Sequence, residues 1–530
     1  MTSSSNLQQL VDEVDAWVLI YTLAALLVVY HVATAVIIKK KPWKIVPGWL
    51  PVLGHFHLVC NTHLSTQVLE EWAEKHSGDA GCYELDVAGN RFVVVCSSER
   101  AMEILKQRPY KVQRNPASNE ASNSIGAAGV FSAEGSTWKE EKKLIAAAFN
   151  RNSVNDFLTS MKGNAKRLVQ KWKLDFNDGK VQPISLDIIH MTANSITMVL
   201  MDRDFHFLED PDSEMAHSVF AALRGFIVRT ISPVWYWRIP VIGQRLDGFW
   251  KNSRYLDHVA NCAIDDFERS KKAEQDNVTG NGQTMFLGKL YRAMEQEKSN
   301  LSRQRVVGNM FTAIAAGVDT TSKTLISALY LLAQDKSLQQ ELREHVKDFD
   351  MDAKSSTLQD LHSQLPMLKS FMHEIHRHYG VPFLMFKVAE AIPFCGATLE
   401  PGQDLMILLR YLSVRPDATD VPLGPDNASP SEFSSRRYLV PSEEAPNNGS
   451  NQKWTCPGPS DKLTGFLPFG HGVRKCPGKL YSEALSLYTL IRILQNFEFE
   501  LAPNHPPVKI IFDLVMTPDI PIQLKLTKLQ

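Results

Sequence analysis

Phe469-Gly-His-Gly-Val-Arg-Lys-Cys476-Pro-Gly478 decides how the rest of this chain is read. A cysteine sits among glycines, with Arg474 and Lys475 just before it. Cationic neighbours favour thiolate over thiol, and thiolate is the form that ligates a metal. Gly470, Gly472 and Gly478 let the backbone take conformations closed to other residues and approach a flat ligand closely. Downstream, Leu480, Ala484, Leu487, Ile491 and Leu494 fall on one helical face. The cysteine therefore lies just ahead of a helix N-terminus, whose dipole also favours an anion.

The plain alternative is an ordinary buried thiol. Cys456-Pro-Gly repeats the tripeptide of Cys476, but Gly449, Gln452 and Trp454 stand where the other copy has Phe469, Gly472 and Arg474. Cys456 is accordingly read as a loop cysteine. The full pattern, Phe-x-x-Gly-x-Arg-x-Cys-x-Gly, resembles the haem-binding loop of the cytochrome P450 family, in which this cysteine is the proximal iron ligand.

With 530 residues, 44% of them hydrophobic, the chain can bury a large core. A net charge of −1 gives no footprint for nucleic acid. The seven cysteines include no CxxC pair, which fits a reduced compartment better than a disulfide scaffold.

Residues 1–15 are polar and acidic and read as a short non-cytosolic tail. Residues 16–38 then run for 23 positions without a formal charge. As a helix that length spans ~35 Å, enough for a ~30 Å hydrocarbon core. The acidic start and the lysines at 39–41 favour an uncleaved anchor over a signal peptide, with everything after the lysines in the cytosol. Residues 39–54 are a basic, Pro/Gly-rich linker, and residues 55–530 form the catalytic domain.

Four further stretches carry chemistry. Trp138 and Lys142 lie one turn apart on a helix opened by Ser136-Thr137; a solvated basic face explains those two residues equally well. Arg303–Ala333 is a long helical pattern interrupted by Ala315-Ala316-Gly317-Val318-Asp319-Thr320-Thr321, where glycine, two threonines and an acid break the helix rules at mid-length. His373-Glu-Ile-His-Arg377 excludes a zinc-protease motif, which needs histidine at 377; Glu374 and Arg377 sit on one face. Tyr110–Gly129 is rich in Asn, Ser, Ala and Gly and reads as a loop.

The resemblance assigns roles to these positions. It implies a mainly α cytochrome P450 fold with small β-sheets and a single N-terminal transmembrane helix. The cofactor would be haem b with Cys476 as axial ligand. Trp138, Lys142, Ala316, Gly317, Lys387, Phe469, Arg474 and Gly478 would contact it, Lys142 and Lys387 standing where the family usually has arginine. Asp319 and Thr320 would handle protons. Glu374 and Arg377 would form a buried ion-pair triad with Arg436. The activity implied is a haem-dependent monooxygenase that inserts one oxygen atom from O2 into an apolar molecule such as a fatty acid, sterol or terpenoid. Its partners would be the endoplasmic reticulum membrane, NADPH-cytochrome P450 reductase and, as a further donor, cytochrome b5, with no nucleic acid. A haem-thiolate isomerase or dehydratase and a non-catalytic haem sensor are the rival readings; the first does not need the Asp319-Thr320 pair, and the second needs no roomy pocket and shows no reductase-dependent turnover. The substrate pocket would draw on the 110–129 loop, the 219–231 helix and residues 312–320, 381–385 and 514–516.

Overall fold

The computed structural model describes residues 41–60, 65–175, 181–231, 249–276, 285–353, 357–418, 420–442, 453–459 and 465–529, together with Ala25, Trp237 and Ile239. The expected tail and anchor, residues 1–38, lie outside the described residues apart from Ala25. Among the described residues no helix is long and apolar enough to cross a membrane.

The body is helical and built around one long helix, Arg303–Gln334. Ser302 caps it, its side chain accepting from the Arg305 N–H. Valine, leucine and isoleucine recur along its length, and Val307, Met310, Phe311, Ile314, Val318, Leu325 and Leu329 are buried in the main core. The helix Ser185–Met201 packs against it, Ile196 lying where a side chain at Gly317 would project. The helices Arg151–Asp175, Pro366–Tyr379 and Lys479–Asn496 complete the core.

A five-stranded sheet lies to one side. Its order is Cys82–Val87, Asn90–Val95, Asp404–Ile407, Leu384–Val388, Val112–Arg114. The Asn90–Val95 and Asp404–Ile407 strands run parallel with Phe92 opposite Asp404, and the other pairs are antiparallel. Ala88 and Gly89 both take positive φ between the first two strands, as a two-residue hairpin turn requires. A three-stranded sheet joins Phe497–Leu501, Gln523–Lys528 and Val181–Pro183, and Ile510–Asp513 pairs with Val515–Pro518 as a hairpin.

The linker is fastened to the first strand. Lys41 Nζ meets Glu84 at 2.8 Å, the Trp43 indole donates to Glu84 at 3.1 Å, and the Trp49 indole donates to Asp86 at 3.1 Å. The segment 110–129 departs from the loop expectation. It holds the strand Val112–Arg114 and a helix, Pro116–Ser124. Pro116 occupies the first turn and Asn115 caps it, accepting from the Ala117 N–H at 2.9 Å. The polar composition hid a well-capped start.

Candidate haem-binding site

The cysteine loop closes on itself, the Cys476 N–H donating to the Phe469 carbonyl at 2.8 Å. Gly470 and Gly472 have φ of 72° and 67°, the left-handed region that a side chain disfavours. Gly478 is the N-cap of the helix Lys479–Asn496, so Cys476 sits ahead of a helix N-terminus as expected. The Cys476 side chain is exposed to open space, yet protein surrounds it closely enough that burial raises its thiol pKa. The N–H groups of Gly478 and Lys479 and the Lys142 ammonium pull it back down. The cationic support expected from Arg474 and Lys475 thus comes from Lys142, whose Nζ donates to the Lys475 carbonyl at 3.2 Å.

Arg474 turns elsewhere. Its guanidinium stacks over the Trp138 ring at 4.3 Å and donates to the Ala133 carbonyl at 2.9 Å and to Glu134. Beside it lie two arginines that the sequence reading did not single out, Arg108 over the Phe386 ring at 4.5 Å and Arg114 over Phe131 at 3.6 Å. Burial, reinforced by mutual repulsion, pulls Arg108 down to about 9 and Arg114 to about 10. Burial lowers Arg474 to about 10 despite Glu134. Arg108 Nε and Nη2, Arg114 Nε, and Arg474 Nε and Nη1 are buried without a hydrogen-bond partner. Buried N–H groups of this kind call for acceptors. Three guanidiniums facing the single carboxylate of Glu134 leave two positive charges, which the two propionates of haem b would neutralise. The residues present therefore fit that group.

Lys387 does not join them. Its Nζ is 3.1 Å from Asp404 and donates to the Gly402 carbonyl at 3.3 Å. Arg114 pairs in register with Phe386, so the arginines share that face of the sheet, and the next residue points to the other. Lys387 is thus occupied with Asp404, while Arg108 and Arg114 keep unpartnered N–H groups.

In the long helix the Thr320 hydroxyl donates to the Ala316 carbonyl at 2.7 Å, and the Thr324 hydroxyl to the Thr320 carbonyl at 2.8 Å. Such back-bonding competes with the helix ladder and bends helices. Ala316 is exposed amid half-buried neighbours, so open space lies along the helix at that level. Gly317 faces the other way: a Cβ there would stand 3.3 Å from Ile196 Cγ1. Its small size admits the neighbouring helix, and the helix continues through it. Asp319 is buried, which raises its pKa, while Lys323 at 2.8 Å opposes the rise.

Glu374 and Arg377 form a bidentate pair at 2.6 and 2.7 Å with no exposed side-chain surface. The third member is Arg437, whose Nε meets Glu374 at 2.9 Å. This corrects the expectation for Arg436, which pairs with Glu341 at the surface. The Ser434 N–H donates to Glu374 at 2.9 Å, and that turn sends Arg437 inward. Burial would raise the Glu374 pKa, but Arg377 and His378 hold it at about 2. The same helix touches the cysteine loop, the His376 ring meeting Phe469 edge-on at 4.8 Å.

The family model for cytochrome P450 matches residues 46–526. The chain is 23% identical over 498 residues to cytochrome P450 10 of Lymnaea stagnalis, covering 92% of this chain and 86% of that one. It is 27% identical to the mitochondrial sterol 26-hydroxylase of Mus musculus, over 75% of this chain and 72% of that one. It is 26% identical to the mitochondrial 25-hydroxyvitamin D-1 alpha hydroxylase of Rattus norvegicus, over 75% and 76%.

Proposed function

The chain belongs to the cytochrome P450 family and is a monooxygenase carrying haem b with a cysteine thiolate axial ligand; on that premise we propose that Cys476 is the ligand and that the substrate is an apolar molecule of sterol size. The observation that carries the site assignment is the set of buried, unpartnered guanidinium N–H groups beside the Cys476 loop. When bound, the haem activates dioxygen, one atom of which enters the substrate while the other leaves as water. The residues do the rest. Cys476 would hold the cofactor through its thiolate, which would supply electron density. Arg108, Arg114 and Arg474 would bind the propionates by charge-assisted hydrogen bonds, with Trp138 packing against Arg474 and Lys142 bracing the loop. Asp319 and Thr320 would pass protons into the open space beside Ala316, Thr320 by turning its hydroxyl away from the Ala316 carbonyl.

The relatives' names support a sterol or vitamin D-like substrate over a fatty acid. Spectral titration of the purified protein with sterols, secosteroids, fatty acids and terpenoids, followed by product identification, tests this. A fatty acid turned over faster than any sterol contradicts it. NADPH-cytochrome P450 reductase is proposed as electron donor, docking near Lys139 and Lys475, with cytochrome b5 as a further donor. Residues 16–38 are proposed as a single-pass anchor in the endoplasmic reticulum, with the catalytic domain cytosolic. The relatives named as mitochondrial supply the rival location, and fractionation with antibody against the chain decides between them.

A further inference from the structure

Lys323 lies one helical turn beyond Asp319, with only 10% of its side chain exposed. Its ammonium reaches Asp319 Oδ2 at 2.8 Å, Asp513 Oδ2 at 2.7 Å and the Asp513 carbonyl at 2.8 Å. A lysine has three N–H donors, and these three acceptors use them all. Asp513 ends the strand Ile510–Asp513 at the tip of the C-terminal hairpin. The tip residue, Leu514, is held at φ 63°, a region a leucine side chain disfavours. The hairpin is also anchored by the Met516 N–H on the Gly380 carbonyl at 3.2 Å, by the Thr66 hydroxyl on Met516 Sδ at 3.8 Å and by Phe512 against Phe383 at 4.7 Å. The strand Val515–Pro518 packs along the helix, and Lys323 is the polar tie between Asp513 and the helix acid.

We propose that Lys323 is the positioning residue of Asp319, and that Asp513 sets how tightly it holds that acid. Two carboxylates share one ammonium, so what Asp513 draws from Lys323 is withdrawn from Asp319. Moving the hairpin tip away leaves the whole cation to Asp319 and ties the acid down. Tip position and proton delivery are thereby linked across two elements far apart in the chain. The inference rests on the reading of Asp319 as the proton-delivering acid.

The test uses the full-length haem-loaded protein and the variants Asp513→Asn, Lys323→Met and Asp319→Asn. In Asp513→Asn, product per reducing equivalent falls about tenfold, the effect of a ~1.4 kcal/mol change in the acid's pairing. Without substrate or reductase, backbone hydrogen exchange across residues 511–517 speeds up in Asp513→Asn and in Lys323→Met. In Asp319→Asn it does not speed up, because the whole cation is left to Asp513. Wild-type coupling and wild-type exchange in Asp513→Asn overturn the proposal. If Asp319→Asn uncouples and Asp513→Asn does not, the proposal fails while the relay reading stands. If Asp319→Asn is fully coupled, both fail.

Discussion

Two adjacent arginines offer a sharp test of how the cysteine loop is supported. Arg437 uses every donor it has. Nε binds Glu374 at 2.9 Å, Nη1 binds the Pro422 and Ala428 carbonyls at 2.8 and 3.0 Å, and Nη2 binds those of Ser429 and Glu432 at 2.8 and 2.7 Å. Its side chain and that of Glu374 have no exposed surface. Arg437→Ala would take a donor from the Pro422, Ala428 and Ser429 carbonyls and one of three donors from a Glu374 oxygen, which keeps Arg377 and the Ser434 N–H. Each group left without its partner costs ~1–3 kcal/mol, and together they take a large share of a ~5–15 kcal/mol native stability. Arg436 and Glu341 are each 41% exposed, and a pair of that kind contributes ~0–1 kcal/mol. Arg437→Ala should therefore fail to accumulate haem-loaded protein, while Arg436→Ala should match wild type within ~1 kcal/mol. The assay is urea unfolding of the haem-loaded protein, with recovered haem per chain as a second readout. The reasoning is refuted if Arg436→Ala is the more damaging change, or if the two are equal.

Three further outcomes follow from the site. Arg114→Met should speed haem transfer to apomyoglobin by ~10–100-fold, the loss of one charge-assisted bond of ~1.5–3 kcal/mol, while leaving the apoprotein at least as stable because a buried like charge is gone. Apoprotein destabilised as much as holoprotein would make Arg114 a purely structural residue. Thr320→Ala should keep haem and substrate binding but divert reducing equivalents to peroxide, and unchanged product yield per equivalent would count against its proton role. His362 and His376 are held at about 3 by burial, aided by Lys369 and Lys479 respectively, and burial holds His373 well below its ordinary value. These histidines stay neutral in the fold while the unfolded chain takes up protons below 6.5, so stability present above that pH is lost as pH falls. Each contributes ~1 kcal/mol of loss over the first unit below that point. His376→Phe, which keeps a ring against Phe469, should shrink the loss in urea midpoints measured across that range; an unaltered slope contradicts the assignment.

Much of the site was legible because its signals are local. The glycine pattern around Cys476, the Glu374–Arg377 spacing and the broken rules at Gly317–Thr320 each declare themselves within one turn or loop. The misses have physical causes. Arg436 and Arg437 are neighbours, and only the turn at Ser434 decides which enters the core. Lys387 was lost through strand parity, since a residue one place along faces the opposite side. Arg114 lies in the stretch whose composition reads as loop and Arg108 just ahead of it, and their meaning appears only when Phe386 and Phe131 close over them. Lys323 was visible at four residues from Asp319, but nothing local announced Asp513, which is 190 residues away. The helix Pro116–Ser124 was the avoidable miss, because Asn115-Pro116 is a readable start signal.

The absorption spectrum of the reduced carbonyl complex tests the central claim most directly. The wild-type protein and Cys456→Ala should both show the thiolate-ligated form, since Cys456 is a buried loop cysteine whose carbonyl accepts from Lys369. Cys476→Ala should lose that form entirely. A thiolate spectrum that survives in Cys476→Ala, or disappears in Cys456→Ala, would contradict the assignment of the haem ligand.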